Sequence, residues 1–347
     1  MTAPVRANAE ERPALKESRV LVTGSVATDH LMTFPGRISA QFIGAAVDKV
    51  SLSFLVDDLR VRPGGVAANI ALGMARLGVT PVLAAAVGID FADHEAHLAS
   101  AGVATRFLYR SATRHTARFL CTTDEHGNQI ASFYPGAMVE ARDIRLAEVI
   151  EQAGGVDLVV VSPNDPEAML RYTDECRRTG TPFAADPSQQ VAIMDGPDLR
   201  RLVDGAAYLF ANEYELALLC DKTDWTDLGL IDRVGVLIST HGPAGARLTV
   251  AGRAPVEVPA IHGVTVADPT GAGDAFRAGL LSGLSRGLEL DLSARLGCAL
   301  ASIVLETVGP QDYEITPDDL YRRLAGAYGA AAGREAVEAM GLLIGMA

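Results

Sequence analysis

Residues 268–279, with the sequence DPTGAGDAFRAG, place two glycines and a carboxylate directly before a segment typical of a helix. Backbone N–H groups in the first turn of a helix lack an intrahelical acceptor and carry the positive end of the helix dipole, so they bind anions. Small residues let an anion such as a phosphoryl group approach them closely. We therefore predict an anion hole at Gly271, Ala272 and Gly273.

The carboxylate that follows, Asp274, suits a different task. It is a poor phosphate ligand because like charges repel, but it can accept a proton from a hydroxyl that lies beside the phosphate. Asp274 is thus predicted to be the general base that activates an alcohol for phosphoryl transfer. The local sequence leaves one alternative open, in which Asp274 only caps the helix, since Asp is a favoured N-cap residue.

Other motifs for nucleotide binding, hydrolysis or metal binding fail on their residues or their context. GAGDAF lacks the lysine of a P-loop, and Phe276 stands at the third glycine position of a dinucleotide-binding fingerprint. GLSRG matches the GxSxG pattern, but Ser285 falls near the end of a helix rather than between a strand and a helix. His94 and His97 are expected on an exposed helix face, and the histidines show no HExxH pair.

Short apolar runs rich in Val, Leu and Ala alternate with stretches of helical periodicity along the chain. The runs are continuous, which indicates strands buried on both faces of a parallel α/β sheet. They are RVLVTGSV, PVLAAAVG, VDLVVVSP, PFAAD, AAYLFAN and VGVLIST. The Ala-rich stretch AGAYGAAAGREAVEAM near the C-terminus is predicted to be helix.

Two segments break this rhythm with alternating polar and apolar positions and a hairpin signal, EHGNQ. We predict that they form a small, half-exposed β-sheet lid over the carboxyl ends of the core strands, where ligands bind in such folds. The predicted division is a disordered tail at 1–18, a large α/β nucleotide-binding domain at 19–32, 62–104 and 136–347, and the lid at 33–61 and 105–135.

Composition excludes several classes of protein. Of the 347 residues, 49% are hydrophobic and 21% are charged, which is typical of a globular chain. The net charge of −13 disfavours a broad surface for nucleic acid or for an anionic membrane. Four cysteines without CxxC spacing indicate neither a disulfide framework nor a zinc ribbon and favour a cytoplasmic protein.

The string DPTGAGDAF resembles the signature of the ribokinase-like (PfkB) family of sugar and nucleoside kinases, and the similarity extends from about residue 19 to residue 330. Segments such as VTGSVATDHLMTFPGR, QIASFYPGAM and AADPSQQ look most like the adenosine kinases of actinobacteria. The resemblance implies a three-layer α/β/α fold with a doubly wound, mostly parallel sheet and a β-sheet lid. It also implies the same catalytic base, Asp274, and homodimers that pair through their lids.

The resemblance also implies the residues of a substrate site. Gly64 and Gly65 would admit substrate hydroxyls to the backbone, although two glycines before a helix are otherwise a tight turn. Asp29 would accept hydrogen bonds from two sugar hydroxyls. The implied substrate-binding residues are Ser25, Asp29, Ser53, Gly64, Gly65, Asn69, Phe119, Phe133, Gln189 and Gln190.

Two aromatic residues of the predicted lid, Phe119 and Phe133, would stack on the purine, with packing within a thin sheet as the alternative. Gln189 and Gln190 would line the same pocket. An arginine occurs in the actinobacterial enzymes where Ile193 stands here, so this detail of the pocket differs.

On the nucleotide side, ANEYE matches the family's NxxE motif, which implies Asn212 near the ATP phosphates and Glu215 ordering Mg²⁺ through water. The segment STHGPAG implies ATP contacts at Thr240, Gly242 and Gly245.

Three further points concern cations and charge near the phosphates. A monovalent-cation site, for K⁺, is implied near Asp268 and Thr270. His241 and Ala244 depart from the apolar and basic residues expected in the ATP segment. Arg118 either reaches the transferred phosphate or is a solvated strand residue.

The sequence thus predicts an ATP-dependent kinase that phosphorylates the 5′-hydroxyl of adenosine to give AMP and ADP. Two alternatives stay open: a kinase of another nucleoside or of ribose, and a non-catalytic regulator that binds nucleosides. A purine requirement in phosphorylation assays would separate adenosine kinase from the first alternative, and ADP release on addition of nucleoside would exclude the second.

Overall fold

The computed structural model describes residues 18–41 and 53–342. The strands in these ranges are β1 (Val20–Thr23), β2 (Ala27–Phe34), β3 (Asp58–Gly64), β4 (Val82–Ala84), β5 (Ala86–Val87), β6 (Tyr109–Arg110), β7 (Ala117–Asp124), β8 (Gln129–Tyr134), β9 (Leu158–Val161), β10 (Phe183–Ala185), β11 (Tyr208–Asn212), β12 (Val236–Thr240), β13 (Ala246–Thr249) and β14 (Val256–Val258). The α-helices are α1 (Val66–Arg76), α2 (Ala92–Ser100), α3 (Leu146–Gln152), α4 (Pro166–Thr179), α5 (Gly196–Val203), α6 (Glu213–Thr223), α7 (Asp227–Ile231), α8 (Ala272–Ser285), α9 (Leu290–Leu305), α10 (Pro317–Tyr328) and α11 (Ala330–Ala339).

Eight strands form the large sheet, in the order β14-β13-β12-β11-β10-β9-β1-β4. The six strands from β12 to β4 are parallel, and β13 and β14 continue the sheet antiparallel. The chain passes from β1 to β4 at one edge and then crosses back to β9 on the other side of β1. In doubly wound sheets, ligands bind outside the carboxyl ends of the strands at such a reversal, which here are the ends of β1 and β9.

Both faces of the large sheet are buried, as the continuous apolar runs predict. In β1, Val20 and Val22 pack with α1, α8 and α9 on one face. Leu21 of the same strand packs with α4 and α5 on the other face. The side chains of a strand alternate between its two faces, so the strand needs apolar residues at every position to fill both cores. The predicted three-layer α/β/α arrangement is thereby confirmed.

Helix α8, which begins at the GAGD loop, is fixed by close contact with α9. A Cβ on Gly279 would lie 2.7 Å from the Cα of Gly297, so the two backbones touch where the helices cross. The apolar face of α8 is buried as predicted, and the GLSRG motif lies at the C-terminal end of this helix. Ser285 therefore does not lie on a strand-to-helix turn.

The second sheet, which we call the lid, has four strands in the order β3-β2-β7-β8. The predicted hairpin at EHGNQ is confirmed, because β7 and β8 are antiparallel neighbours across it. The lid extends beyond the predicted bounds: β2 begins at Ala27, before residue 33, and β3 ends at Gly64, beyond residue 61. The strands continue to pair up to the core because β2 follows β1 after only three residues and β3 leads directly into α1.

Three predicted features lie at the ends of the chain or partly outside the described residues. The predicted tail is described only from Ser18, and the first lid segment lacks residues 42–52. The Ala-rich C-terminal stretch is two helices, α10 and α11, separated by Gly329 at φ 92°, a conformation that glycine adopts without strain. Among the described helices, none is long and apolar enough to cross a membrane.

Candidate active site

The GAGD loop forms the N-terminus of α8 in the predicted manner. Gly271 is the N-cap residue, with φ 80°, and a Cβ there would lie 2.4 Å from the Cβ of Pro310. Among the described residues, the backbone N–H groups of Gly273 and Asp274 have no hydrogen-bond acceptor. Two free N–H groups at the positive end of a 14-residue helix can bind an anion.

Asp274 lies in the first turn of α8, and the alternative in which it is the N-cap residue is wrong, since Gly271 occupies that position without a side-chain cap. Its Oδ2 accepts a hydrogen bond of 2.8 Å from Nδ2 of Asn69 in α1. Burial raises the pKa of Asp274, opposed by the charge of Arg277 and the Asn69 hydrogen bond, while the charge of Glu215 raises it further. A carboxylate with a raised pKa is a better proton acceptor for an alcohol than an ordinary one.

Asp29 of β2 brings a second carboxylate from the lid to the same place. Burial, and then the charges of Asp274 and Asp268, raise the pKa of Asp29 to about 6. A Cβ on Gly64 would lie 2.7 Å from Oδ2 of Asp29, so only glycine permits this approach. The structure therefore brings the predicted sugar-binding carboxylate and the predicted base into one cleft.

The start of α1 is a tight turn that the lid strands enter. Gly65 has φ 96°, and a Cβ there would lie 2.6 Å from both the backbone N of Ala27 and the backbone O of Ser25. Oγ of Ser25 accepts a hydrogen bond of 3.0 Å from the N–H of Val66. Ser25 thus stabilises the helix start, and its hydroxyl proton remains available to a substrate.

The strand register places three predicted substrate residues in one row of the lid. Asp29 is directly opposite Phe119, and Phe119 is directly opposite Phe133. Directly paired residues point to the same face of a sheet, so both rings lie on the face that carries Asp29. Phe133 is 46% exposed, so its ring is accessible to a flat ligand.

Ser53 and Gln189 are exposed, unlike most of the other predicted substrate residues. Ser53 is exposed, and within the described ranges nothing joins it to the other site residues. The two glutamines lie in the 3₁₀ helix Ser188–Ala192 but diverge, because Gln189 is exposed and Gln190 is buried. Nε2 of Gln190 donates to the backbone O of Asn164 at 2.7 Å, which leaves its Oε1 for another donor.

The predicted nucleotide residues follow the carboxyl ends of β11 and β12. Asn212 caps α6, and Glu215 completes a capping box by accepting from the Asn212 N–H at 2.8 Å. Asn212 is paired with Thr240 across the two strands. Gly242 and Gly245 both have positive φ, so the chain turns there as only glycine does easily.

His241, which stands where an apolar residue is expected, has a polar partner at each ring nitrogen. Its Nδ1 lies 3.0 Å from a carboxylate oxygen of Glu213, and its Nε2 lies 2.9 Å from Oγ of Ser239. Ala244 lies in the short 3₁₀ helix that follows, and Ile193 is 72% exposed. Nothing in the structure explains why isoleucine stands at position 193.

Asp268 ties the GAGD loop to the segment that follows α9. Its Oδ1 accepts from the N–H of Thr270 at 2.9 Å, and its Oδ2 accepts from the N–H of Gly309 at 3.1 Å. The role of Asp268 and Thr270 in binding a monovalent cation stays a prediction.

Arg118 is not directed towards the predicted phosphate site. It is paired with Tyr134, so it lies on the lid face opposite Phe119, and it forms an ion pair of 2.6 Å with Asp90. Asp90 also accepts from the N–H of Thr116 at 2.7 Å. These contacts join the base of β7 to the core.

A buried ion pair beside the N-terminus of α8 was not predicted. Arg277, one turn after Asp274, lies 2.6 Å from Asp186 at the carboxyl end of β10, and the carboxylate is completely buried. A Cβ on Gly273 would lie 2.9 Å from Nη1 of Arg277, so the guanidinium packs against the first turn of α8. The only sequence signal was an arginine within the apolar run AFRAGLL.

The prediction that His94 lies on an exposed helix face is wrong, because its ring is buried between α2 and the segment after α9. Burial and the nearby His97 lower its pKa to about 4, although Gln311 opposes this. Periodicity alone did not identify this position, because α2 is short and polar around most of its surface.

We expect His94 to make stability depend on pH. The unfolded chain binds a proton at His94 near pH 6.5 and the folded chain only near pH 4, so the free energy of unfolding falls as the pH drops through this window, by about 3 kcal/mol. His94→Gln should flatten this dependence in urea unfolding experiments, whereas Leu98→Ala, a buried and uncharged position in the same helix, should lower stability without changing the slope. Equal slopes for both variants and the wild type would contradict the assignment.

Free N–H groups at a helix N-terminus beside a buried carboxylate, in a protein with a doubly wound sheet and a small second β-sheet, are the arrangement found in ribokinase-like phosphotransferases. Residues 25–317 match the profile of the pfkB family carbohydrate kinases, and the chain belongs to this family.

The sequence and the structure are both similar to those of nucleoside kinases. A nucleoside kinase of Methanocaldococcus jannaschii is 30% identical over 274 residues, which cover 78% of this chain and 88% of that protein. The structure of a nucleoside kinase of Burkholderia thailandensis in complex with inosine is 34% identical and superposes with a TM-score of 0.79, covering 89% of this chain and 98% of that one. The same enzyme in complex with ADP-inosine superposes with a TM-score of 0.77 over 89% of this chain and 96% of that one, also at 34% identity.

Proposed function

We propose that the protein transfers the γ-phosphoryl group of ATP to the 5′-hydroxyl of adenosine, giving AMP and ADP, and that it serves purine salvage in the cytoplasm. The observation that carries the kinase chemistry is Asp274 with its raised pKa beside two free N–H groups. The choice of adenosine rests on the segments that resemble actinobacterial adenosine kinases and on the relatives' activity towards nucleosides.

In the proposed reaction, Asp274 accepts the proton of the 5′-hydroxyl as the oxygen attacks the γ-phosphorus in line, and ADP leaves. The N–H groups of Gly273 and Asp274 donate to the equatorial oxygens of the phosphoryl group, where negative charge gathers. The guanidinium of Arg277, which packs against the first turn of α8, adds positive potential. Closure of the lid would exclude water, which competes as an acceptor.

The carboxylate of Glu215 would suit a Mg²⁺ ion that is held chiefly by water and by the ATP phosphates. Both oxygens of Glu215 already accept hydrogen bonds, from the Asn212 N–H and from Oγ of Ser188. Within the described ranges, no three His, Cys, Asp or Glu side chains converge as a metal site. Mg²⁺ commonly keeps several waters, so one carboxylate can suffice to orient it and to neutralise charge on the phosphates. We also propose that K⁺ binds near Asp268.

For the nucleoside, we propose that Asp29 accepts hydrogen bonds from two ribose hydroxyls beside Gly64 and Gly65. The base would enter between the lid and the 3₁₀ helix Ser188–Ala192. The row formed by Asp29, Phe119 and Phe133 supports this placement, because it aligns a sugar acceptor with two ring faces. Ser25, Ser53, Gln189 and Gln190 remain proposed contacts, with Thr240, Gly242 and Gly245 around ATP.

A second candidate is a kinase of another purine nucleoside, favoured by the inosine bound to the Burkholderia enzyme. Purified protein with Mg-ATP should release ADP when adenosine is added, more slowly with inosine or guanosine, and negligibly with ribose. A higher kcat/KM for inosine or ribose would replace adenosine as the substrate. A chain that binds nucleosides without releasing ADP would be the non-catalytic regulator.

Removing either stacking ring should weaken nucleoside binding. We expect Phe119→Ala and Phe133→Ala each to weaken the free energy of adenosine binding by roughly 1 to 3 kcal/mol in calorimetry, because one base–ring contact is lost. Tyr134→Ala is the matched control, since this equally exposed lid aromatic points to the opposite face. Unchanged affinity in the phenylalanine variants, or an equal loss in the control, would place the base elsewhere.

We further propose a homodimer formed through the outer face of the lid. Leu59, Val61, Ile130 and Tyr134 are all exposed on the face opposite Asp29. A contiguous apolar surface on a thin sheet is a typical contact surface. A second copy suits it, because the same strands would then meet about a twofold axis.

A further inference from the structure

A line of buried amide side chains leads inward from Asp274. Nδ2 of Asn69 donates to Oδ2 of Asp274 at 2.8 Å, and Nε2 of Gln311 donates to Oδ1 of Asn69 at 2.8 Å. Asn69 is 7% exposed and Gln311 is 1% exposed, so water does not replace these partners easily. The three residues come from α1, α8 and the segment after α9, so the line joins three separate parts of the fold.

The direction of the hydrogen bonds is determined by the groups themselves. Asp274 as a carboxylate can only accept, so Asn69 must present its amide N–H to it and its oxygen to Gln311. Gln311 must then present its own amide N–H to Asn69. With either amide reversed, two acceptors or two donors would face each other, and both would be buried without a partner.

The inner end of the line is His94. Among the described residues, Oε1 of Gln311 and both ring nitrogens of His94 are buried without a hydrogen-bond partner of good geometry. The two side chains nevertheless interact, because Gln311 raises the pKa of His94 against the effect of burial. A neutral imidazole has one N–H to donate, and Oε1 of Gln311 is the acceptor beside it.

The residues on either side of Gln311 in the chain contact the GAGD loop, Asp268 and the lid. Its neighbour Pro310 contacts Gly271, and the N–H of Gly309 donates to Asp268. On the lid side, Arg62 of β3 forms an ion pair with Asp312 and donates to the backbone O of Val308. The position of Gln311 is therefore fixed from both sides of the cleft.

We propose that Gln311 is a positioning residue: by donating to Asn69, it holds the Asn69 amide with its N–H towards Asp274, which keeps that carboxylate ionised and aimed at the acceptor alcohol. The proposal rests on the role of Asp274 as the base and adds to it the groups that set its proton affinity. Gln311 is buried and donates to Asn69 rather than to Asp274, so it acts through Asn69.

A hydrogen bond to the ionised form of a carboxylate lowers its pKa, so loss of the Asn69 donor should raise the pKa of Asp274. The charged and titratable groups that face Asp274 are Asp29 from the lid, Asp186 from β10, Glu215 from α6, Arg277 from α8 and Tyr313 from the segment after α9. None of these side chains is removed when Gln311 is substituted, and His94, which lies beside Gln311, has a pKa of about 4, so a shift of the limb above that pH reports the amide line.

The test is the pH profile of kcat/KM for adenosine in Gln311→Met, which keeps the length of the side chain and removes the donor. We expect the acidic limb to move up by about one pH unit, which is about a tenfold loss of rate below it, with KM changed much less than kcat. In an Asn69→Leu background, Gln311→Met should have no further effect, because the residue acts through Asn69. Gln311→Glu, which retains the volume of the side chain, should shift the limb in the same direction.

Val337→Ala in α11 is the control for lost stability, since its side chain is buried far along the chain from these amides. It should lower the melting temperature and leave the pH profile unchanged. Superimposable profiles for Gln311→Met and the wild type, or a full effect in the Asn69→Leu background, would overturn the proposal. A retained rate in Asp274→Asn would instead refute the base itself, so the two failures are distinguishable.

Discussion

Asp274→Asn should lower kcat by roughly 10²- to 10⁴-fold, the usual contribution of a general base, and leave the affinity for adenosine within a few fold. Asparagine retains the shape of the side chain and an oxygen that can accept from Asn69, but it cannot take up the proton of an alcohol. The free N–H groups of the helix N-terminus are unchanged, so binding of the phosphates should persist.

Steady-state kinetics give kcat, and calorimetry with adenosine gives the Kd independently of turnover. Asp291→Asn is the matched control, because Asp291 lies in the first turn of α9 and forms only a surface ion pair with Arg295. A variant that keeps half of its rate would refute the assignment of Asp274 as the base. A loss of rate with an equal loss of adenosine affinity would make the carboxylate a binding group instead.

Arg277→Gln should reduce the free energy of unfolding by about 3 to 5 kcal/mol, because it leaves the carboxylate of Asp186 buried without its partner. The same change should lower turnover, since the guanidinium packs against Gly273 in the first turn of α8. Urea unfolding followed by circular dichroism measures the first effect, and phosphorylation assays under native conditions measure the second.

The control is Arg295→Gln, which breaks an i,i+4 ion pair whose side chains are 32% and 40% exposed. Exposed pairs contribute about 0 to 1 kcal/mol, so this variant should remain close to the wild type. The double variant Asp186→Leu with Arg277→Met should recover most of the stability but not the turnover, because apolar residues can replace a buried ion pair in packing but not in charge. A loss below 1 kcal/mol for Arg277→Gln would mean that water reaches Asp186.

The sequence by itself determined the elements and the chemistry that lies within one short segment. Continuous apolar runs predicted the strands of a sheet buried on both faces, since each strand must fill two cores. The GAGD loop was sufficient to predict free N–H groups beside a carboxylate, because both are properties of the first turn of a helix. The hairpin of the lid followed from EHGNQ for the same reason: its conformation is set by adjacent residues.

The tertiary structure alone decided which distant side chains surround that carboxylate. The sequence predicts Asn69 as a substrate-binding residue, but only the structure shows that its amide donates to Asp274. Gln311 and the Arg277–Asp186 pair showed no local pattern, because their partners are 242 and 91 residues away. Strand order, helix crossing and burial bring such groups together, and burial then raises the pKa of Asp274. A local motif cannot specify these contacts, since the free energy of a buried hydrogen bond or charge depends on what the fold packs against it.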